Sequence, residues 1–524
     1  MMSCFQNVLK RLFNIPLLAI FIFSSATAKE RVFDVCVYGE TPAGITAALQ
    51  VAKMGKSVVL ISTNNHVGGM ATSGLTATDL NNFRIAGGFT KDFYQRIYTH
   101  YLDSSAWRAE GRAEFFERSK KRTYTGKNDS LKIQWVYESG IGEKIFKQML
   151  HDHGINVIYN QSIDLKSAPV KQDGRLKTIR MEGGMKIAAK MFIDASYEGD
   201  LMRMAGLSFK VGRESNATYG ETMNGIRMGH VVGNGKTSID PYVIPGKPES
   251  GLLPFIDPKP NGDEGTGDDR TQTYCYRLTL TNDAANRIDV EKPKNYNPLW
   301  YEFLVRMIAL NPDISLSSII SFTPMPNKKT DTNQGNFVGH SYAWPNADHA
   351  TRIEIAAKHK DYSMGLIWFL GNDERLPLAM RMEMKTWGWP KDEYLDTDHF
   401  PYQVYVREAR RLISDYVMTE QNCNGERPVS DPVALATYPL DCHYVARVLD
   451  AQGKVRIEGG YGKQKSTYYG ISFRSIIPQR KECSNLLVPV CLSASHVAYS
   501  SIRMEPVYMV LGQSAATAAV MALE

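Results

Sequence analysis

Val32-Phe33-Asp34-Val35-Cys36-Val37-Tyr38-Gly39-Glu40-Thr41-Pro42-Ala43-Gly44 is the stretch whose reading decides the fold. Its first seven residues form an apolar run too short for a helix, which predicts a buried strand. Gly39 to Gly44 reads as a turn. Ile45 to Met54, rich in Ala and Leu, reads as a helix that Gly55 ends. Ser57 to Ile61 reads as a second strand. Strand, glycine turn, helix and strand within about 30 residues make the dinucleotide-binding βαβ unit. A pyrophosphate needs backbone N–H donors and the positive end of a helix dipole. Gly39 permits the tight turn, and Gly44 lets the helix approach the strand. Two positions depart from the pattern. Thr41 holds the middle glycine position of GxGxxG, where its Cβ restricts approach of the phosphates. Ser62 stands where an acidic residue is expected on the ribose. The rival reading is an ordinary α/β turn.

Outward from this unit, the chain of 524 residues is unremarkable: 43% hydrophobic, 22% charged, formal net charge +6. These values exclude a wholly disordered, collagenous or coiled-coil chain. The basic excess is too even to imply a nucleic-acid partner, which wants clustered basic surface. The first 28 residues stand apart. Lys10 and Arg11 precede an apolar run from Leu12 to Phe23, and Ala26-Thr27-Ala28 supplies a small-x-small site. This predicts a secretory signal peptide cleaved after Ala28, hence a periplasmic or secreted protein with no stable membrane insertion. The rival is a membrane anchor, but about a dozen apolar residues interrupted by Pro16 fall short of the ~20 a spanning helix needs.

Six cysteines follow Cys4, too few for a disulfide framework in so long a chain. Cys36 reads as a buried thiol. A single bridge among Cys423, Cys442, Cys483 and Cys491 is open. No CxxC pair occurs, and His151-Asp152-His153 reads as a polar helix end, so no metal is expected.

Longer strings carry a resemblance. Thr41-Pro42-Ala43-Gly44, His66-Val67-Gly68-Gly69-Met70 and Ser73-Gly74-Leu75 with Thr78-Asp79 come first. Phe192-Ile193-Asp194-Ala195-Ser196-Tyr197-Glu198-Gly199-Asp200-Leu201 follows, then Val211-Gly212-Arg213-Glu214 with Tyr219-Gly220-Glu221. The last run is Ser495 to Pro506 with Gly512-Gln513-Ser514-Ala515-Ala516. Together they resemble a bacterial family of FAD-dependent oxidoreductases of the glutathione-reductase class. Its members are often secreted, and some carry a xanthan lyase label. The resemblance covers most of the chain. It implies an FAD site built from Gly39, Thr41, Pro42, Ala43, Gly44, Ser62, His66, Gly68, Gly69, Met70, Ala195 and Ser196. It also implies that a final helix starting near Gly512, with Ser514 and Ala515, points its N-terminus at the flavin, where the dipole stabilises the reduced anion. On residues alone, Ser196 or Asp200 could equally cap a helix, and the final helix could be packed core. Covalent flavin attachment through His66 or His496 stays open. Glu40 stands where the family has a small residue and crowds the first turn. The chain stops at Glu524 inside a helix, and relatives continue further, so C-terminal elements are expected beyond it.

Between Asn216 and Tyr469 the chain does not look doubly wound. Gly251–Asp269 and Pro324–Asn333 read as loops. Ala356–Asn372, Pro377–Met384 and Val404–Thr419 read as helices. Trp344, Trp368, Trp387 and Trp389 could build a platform for a sugar ring, although such Trp are more often core. A flavin that oxidises a C–H bond needs a base for the hydroxyl proton. His496 and His443 are the bases expected by type. Arg503 and Arg407 suit a substrate carboxylate or negative charge on the flavin. Glu408 and Glu505 neighbour them and could serve only as ion-pair partners.

The expected architecture is α/β, with a Rossmann-like FAD-binding domain split into residues 29–215 and 470–524 around an α+β substrate or cap domain at 216–469. The expected function is hydride removal from a polyhydroxylated small molecule, such as a sugar or uronic acid, with an unassigned electron acceptor. A polysaccharide lyase and a non-redox carbohydrate-binding protein are the rivals.

Overall fold

The Val32–Ile61 segment folds as its pattern predicts. The computed structural model describes residues 32–79, 83–120, 126–333, 335–462 and 468–524; the expected signal peptide, residues 1–28, lies outside them. Strand β1 (Val32–Tyr38) runs into helix α1 (Pro42–Lys53), then β2 (Val58–Ile61). Helix α2 (Ser139–Asp152) leads to β3 (Asn156–Ile158), followed by β4 (Val170–Gln172), β5 (Arg175–Arg180) and β6 (Lys186–Asp194). A late strand, β7 (Leu486–Leu487), returns to the same sheet. The order is β3-β2-β1-β6-β5-β4, with β7 also paired to β6. The pairs β2–β3, β1–β2, β1–β6 and β6–β7 are parallel; β4–β5 and β5–β6 are antiparallel.

A strand central to a parallel sheet is covered on both faces, which is why β1 carries no polar alternation. Val35 and Val37 enter the large core with α1; Cys36 and Tyr38 enter a smaller core on the opposite face. The one charge in β1, Asp34, sits near its start, bonded to Lys190 (2.7 Å) and Ser57. The Lys190 bond is the chief reason its carboxyl is held down to about 2.

The chain closes with helix α4 (His496–Ile502) and helix α5 (Glu505–Met521). Helix α5 corrects one expectation. Its N-terminus is at Glu505 and Pro506, so Gly512, Ser514 and Ala515 lie mid-helix and not at a cofactor-facing end. Gly512 is there for packing: a Cβ would fall 2.1 Å from the Ala43 carbonyl oxygen, so only glycine lets α5 lie against α1. Thr46 Oγ1 seals the contact by donating to Met509 O at 2.7 Å. Ser514 donates to Val433 O, and Ala515 is fully buried.

The middle of the chain holds both agreement and correction. Helix α3 (His349–Asn372) and the helix Leu378–Met384 form where expected. Val404–Thr419 is not a helix. Its backbone donates outward instead: Tyr405 N to Cys275 O, Leu412 N to Cys491 O and Ile413 N to Ser208 O. Good helix formers lose here because their charges have buried partners on other segments, and tertiary contacts override propensity. Arg410 meets Asp200, Arg411 meets Glu214, and Glu408 meets His496. Pro324–Asn333 is a hairpin, Thr323–Met325 against Lys329–Asp331, turned by Asn327 and Lys328 at positive φ. The four tryptophans build no common platform: Trp344 packs on Tyr274, Trp368 on Tyr296, Trp387 on Phe322 and Trp389 on Phe400.

None of the six cysteines from Cys36 to Cys491 is in a disulfide, and all six are buried, so no late bridge forms among them. Thiol titration of the denatured, unreduced chain is expected to find every one of them; a shortfall of two would restore the bridge. The helix α2 ends at Asp152, as the polar run predicted. No helix among the described residues is long and apolar enough to cross a membrane. Val32–Glu524 packs as one compact unit.

Candidate functional site

The carboxyl ends of β1, β2 and β6 meet at one place, where open α/β sheets bind ligands. Gly39 N donates to Ile61 O, and Ala195 N to Tyr38 O, which ties the three ends together. Gly39 has φ +111°, and a Cβ there would lie 2.6 Å from Ala195 C and Ser196 N. At Gly44 a Cβ would fall 1.9 Å from Gly39 O. The turn is therefore packed so tightly against β6 and α1 that only glycine fits at these two positions.

Thr41 does not crowd it. Its extended backbone (φ −64°, ψ 164°) makes it the N-cap of α1. Its hydroxyl accepts from Gly44 N and donates to Ala195 O at 2.7 Å, so it is turned towards β6. Pro42 at the first helical position removes an N–H that would lack a partner anyway. Glycine turn, helix N-terminus and close strand ends together fit the pyrophosphate of FAD.

The His66–Met70 loop runs beside this turn, with Gly68 N donating to Glu40 O at 2.7 Å. Gly69 and Met70 start a short 3-10 turn. Met70 N–H donates to the Tyr197 hydroxyl (3.0 Å), which donates to Glu505 Oε1 (2.8 Å). Glu505 is the first residue of α5, and burial pushes its carboxyl up to about 8. Its Oε2 is buried with no hydrogen-bond partner among the described residues. Glu505 thus stands at the helix end that the resemblance aims at the flavin, and it is no ion-pair partner.

Other expected residues take structural positions. Ser62 is fully buried, its hydroxyl turned to the Asn64 and His66 carbonyls. His66 stacks on Tyr402 (3.9 Å between centroids, 7°) with Nδ1 3.2 Å from Glu143 and Nε2 3.3 Å from Asp396. Both its nitrogens are engaged. Ser196 Oγ donates to Asp194 Oδ1 (2.6 Å) and accepts from Gly199 N, a cap at the end of β6.

Three of the four expected catalytic residues converge. Arg503, just before α5, donates to Tyr405 Oη (2.5 Å) and Asp441 O (2.9 Å). Arg407 donates to Thr273 O (2.5 Å), and its guanidinium lies 4.6 Å over the Tyr405 ring. The Nε atoms of both arginines are buried and have no partner among the described residues. His443 borders a cavity of about 280 Å³ with Asp441, Cys442 and Asn336. Desolvation, then Arg407, Arg503 and Arg277, hold its pKa well below the ordinary imidazole value. These effects favour its neutral form.

His496 is different. Burial alone would lower it, but Glu408, 2.9 Å from Nδ1, raises it to about 10. Its Nε2 lies 3.2 Å from Cys442 Sγ. A buried imidazolium already carries its proton, so His496 serves as an ion-pair partner and not as the base. Sequence reasoning missed Tyr197, Tyr405 and Arg277. Only the Glu505 and Arg503 positions beside the final helix gave a signal that could have found the cluster.

The family described as FAD dependent oxidoreductase matches residues 34–524. No curated protein matches. Among solved structures, the chain is similar to L-amino acid deaminase from Proteus vulgaris, at 13% identity over 35% of this chain and 53% of that one, TM-score 0.23. L-proline dehydrogenase from P. horikoshii matches at 14% over 36% and 59%, TM-score 0.23. OxyS anhydrotetracycline hydroxylase from Streptomyces rimosus matches at 11% over 36% of each chain, TM-score 0.24. The match thus spans about a third to three fifths of these proteins' lengths. With a Rossmann-like βαβ unit, a glycine turn at the carboxyl edge of its sheet and a family match over nearly its whole length, the chain belongs to the FAD-dependent oxidoreductase family.

Proposed function

We propose that this enzyme removes hydride from a small hydroxylated substrate bearing a carboxylate, such as a uronic acid. The observation that carries the reading is the pair of unpartnered, buried guanidinium Nε atoms of Arg407 and Arg503 beside neutral His443. Buried guanidinium groups with unpartnered N–H donors suit a carboxylate. Bound FAD supplies the two-electron acceptor. Gly39, Thr41, Ala43 and Gly44 hold its pyrophosphate side. His443 takes the hydroxyl proton as the carbonyl forms, and Arg407 and Arg503 orient the substrate carboxylate. Residues 216–469, which supply Arg407, His443 and Tyr405, act as the substrate-binding part of the fold. The apolar Leu12–Phe23 run and Ala26-Thr27-Ala28 support export, with the mature chain starting at Lys29; mass analysis of the protein from its native compartment tests this.

The enzymatic test is anaerobic titration of purified protein with uronic acids and with the matching neutral sugars, following the visible flavin bands. Bleaching by uronates alone supports the reading. Bleaching by neither, with the ultraviolet rise of an unsaturated uronate, would establish a lyase instead. Arg503→Ala is expected to lower kcat/KM for the acid about 10- to 100-fold, mostly through KM. An equal loss with the neutral sugar would remove Arg503 from carboxylate binding.

A further inference from the structure

We propose that Glu40, in the glycine turn, takes over ribose recognition from the end of the second strand. In dinucleotide-binding βαβ units a carboxylate at the end of the second strand accepts a ribose hydroxyl. That position here is Ser62, and no acid follows among Thr63-Asn64-Asn65-His66-Val67. Ser62 cannot substitute, because its hydroxyl is turned into its own loop.

Glu40 supplies the missing group from the neighbouring strand end. Its Oε2 accepts from Thr63 N (3.1 Å); its Oε1 accepts from Thr63 Oγ1 (2.7 Å) and Asn64 Nδ2 (2.8 Å). The carboxylate therefore lies against the first two residues after Ser62. Glu40 itself is 6% exposed, while Thr63 and Asn64 are half-buried, so the group sits just beneath the surface at the carboxyl edge of the sheet. No cation pairs with it among the described residues. Three donors of the Thr63–Asn64 loop reach the carboxylate, and the Glu40 backbone N–H also favours its charged form; Oε2 takes only one of the loop donors and is the oxygen to which a ligand hydroxyl would add. Burial of an acid without a counter-cation is costly, and a hydroxyl donor from the cofactor offsets part of that cost. The two departures at positions 40 and 62 then become one relocation of a charge across adjacent strand ends.

The inference concerns cofactor binding alone, so it stands or falls apart from the identity of the substrate. The test measures FAD affinity of the full-length protein by recovery of flavin fluorescence on dilution. FAD is compared with analogues whose adenosine lacks the 2′- or the 3′-hydroxyl. The unaltered protein is expected to bind one analogue about tenfold or more weakly, the size of a hydrogen bond to a charged group. Glu40→Gln is expected to weaken FAD by a similar factor and to lose nothing further with that analogue. Glu40→Gly combined with Ser62→Glu is expected to restore FAD affinity. Equal binding of FAD and both analogues by the unaltered protein would overturn the proposal and leave Glu40 as a brace for the Thr63 loop. That comparison needs no substitution, so it decides the matter even if Glu40→Gln misfolds.

Discussion

Gly39→Val is expected to yield protein that retains no flavin and loses several kcal/mol of stability. Two effects add. The residue sits at φ +111°, where a β-branched side chain is strained by about 1–2 kcal/mol. Its Cβ would also sit 2.6 Å from the Ala195 and Ser196 backbone, which cannot yield without moving β6 away from β1. The total is a large part of the ~5–15 kcal/mol that holds a typical domain. Gly55→Ala provides the control. Gly55 has φ +75° but open space around it, so only the strain of about 1 kcal/mol applies and flavin is kept. Denaturant unfolding and the visible spectrum of both variants measure the difference. A Gly39→Val protein as stable and as yellow as the parent would sink this account of the turn.

The second large effect is a fall in stability as pH rises from about 6.5 to 10. His496 is raised from 6.5 to about 10 by Glu408 against the opposing effect of burial. A base with a raised folded pKa contributes fully below its unfolded value, and that contribution is lost as pH climbs through the folded value. The size is on the order of 5 kcal/mol, at about 1.4 kcal/mol per pKa step. Glu505 works in the same direction. Burial raises it from 4.5 to about 8, so the folded state holds a proton that the unfolded state has released, and stability falls across that window. Urea unfolding at pH 5, 7 and 10 separates the two, with Glu505 acting mainly below pH 8 and His496 above pH 6.5. His496→Gln is expected to flatten the slope above pH 7. Glu505→Gln is expected to be more stable than the parent above pH 8, because it removes a buried carboxylate with one unpartnered oxygen. A parent protein equally stable at pH 7 and pH 10 would refute the His496–Glu408 pairing as a charged one.

Much of the nucleotide site was legible before the fold was known. The seven-residue apolar run, the turn and Gly55 each depend on neighbours a few positions away. Thr41 shows where that legibility stops. As a residue type it looked like an obstacle to the phosphates. Its backbone angles and its bond to Ala195 O made it a helix cap that faces elsewhere. Val404–Thr419 failed for a related reason. Helical composition was read correctly, but Arg407, Glu408, Arg410 and Arg411 take partners on distant segments, and those partners set the backbone. Gly512 lies mid-helix against Ala43, and sequence does not reveal which helix a glycine allows to approach.

By itself, then, the sequence determined the βαβ unit and its glycine turn, while the class of cofactor came from the longer strings that resemble the FAD-dependent oxidoreductase family. Strand and helix periods, φ freedom and cap chemistry act over a handful of residues, so they can be read along the chain. Tertiary structure alone decided which histidine is free to take a proton. His443 and His496 are the same residue type, yet burial, aided by three arginines, keeps one neutral, and one buried carboxylate keeps the other charged. Coulomb interactions fall off with distance through space and not along the chain, so that assignment exists only once Arg277, Arg407, Glu408 and Arg503 have been folded into place.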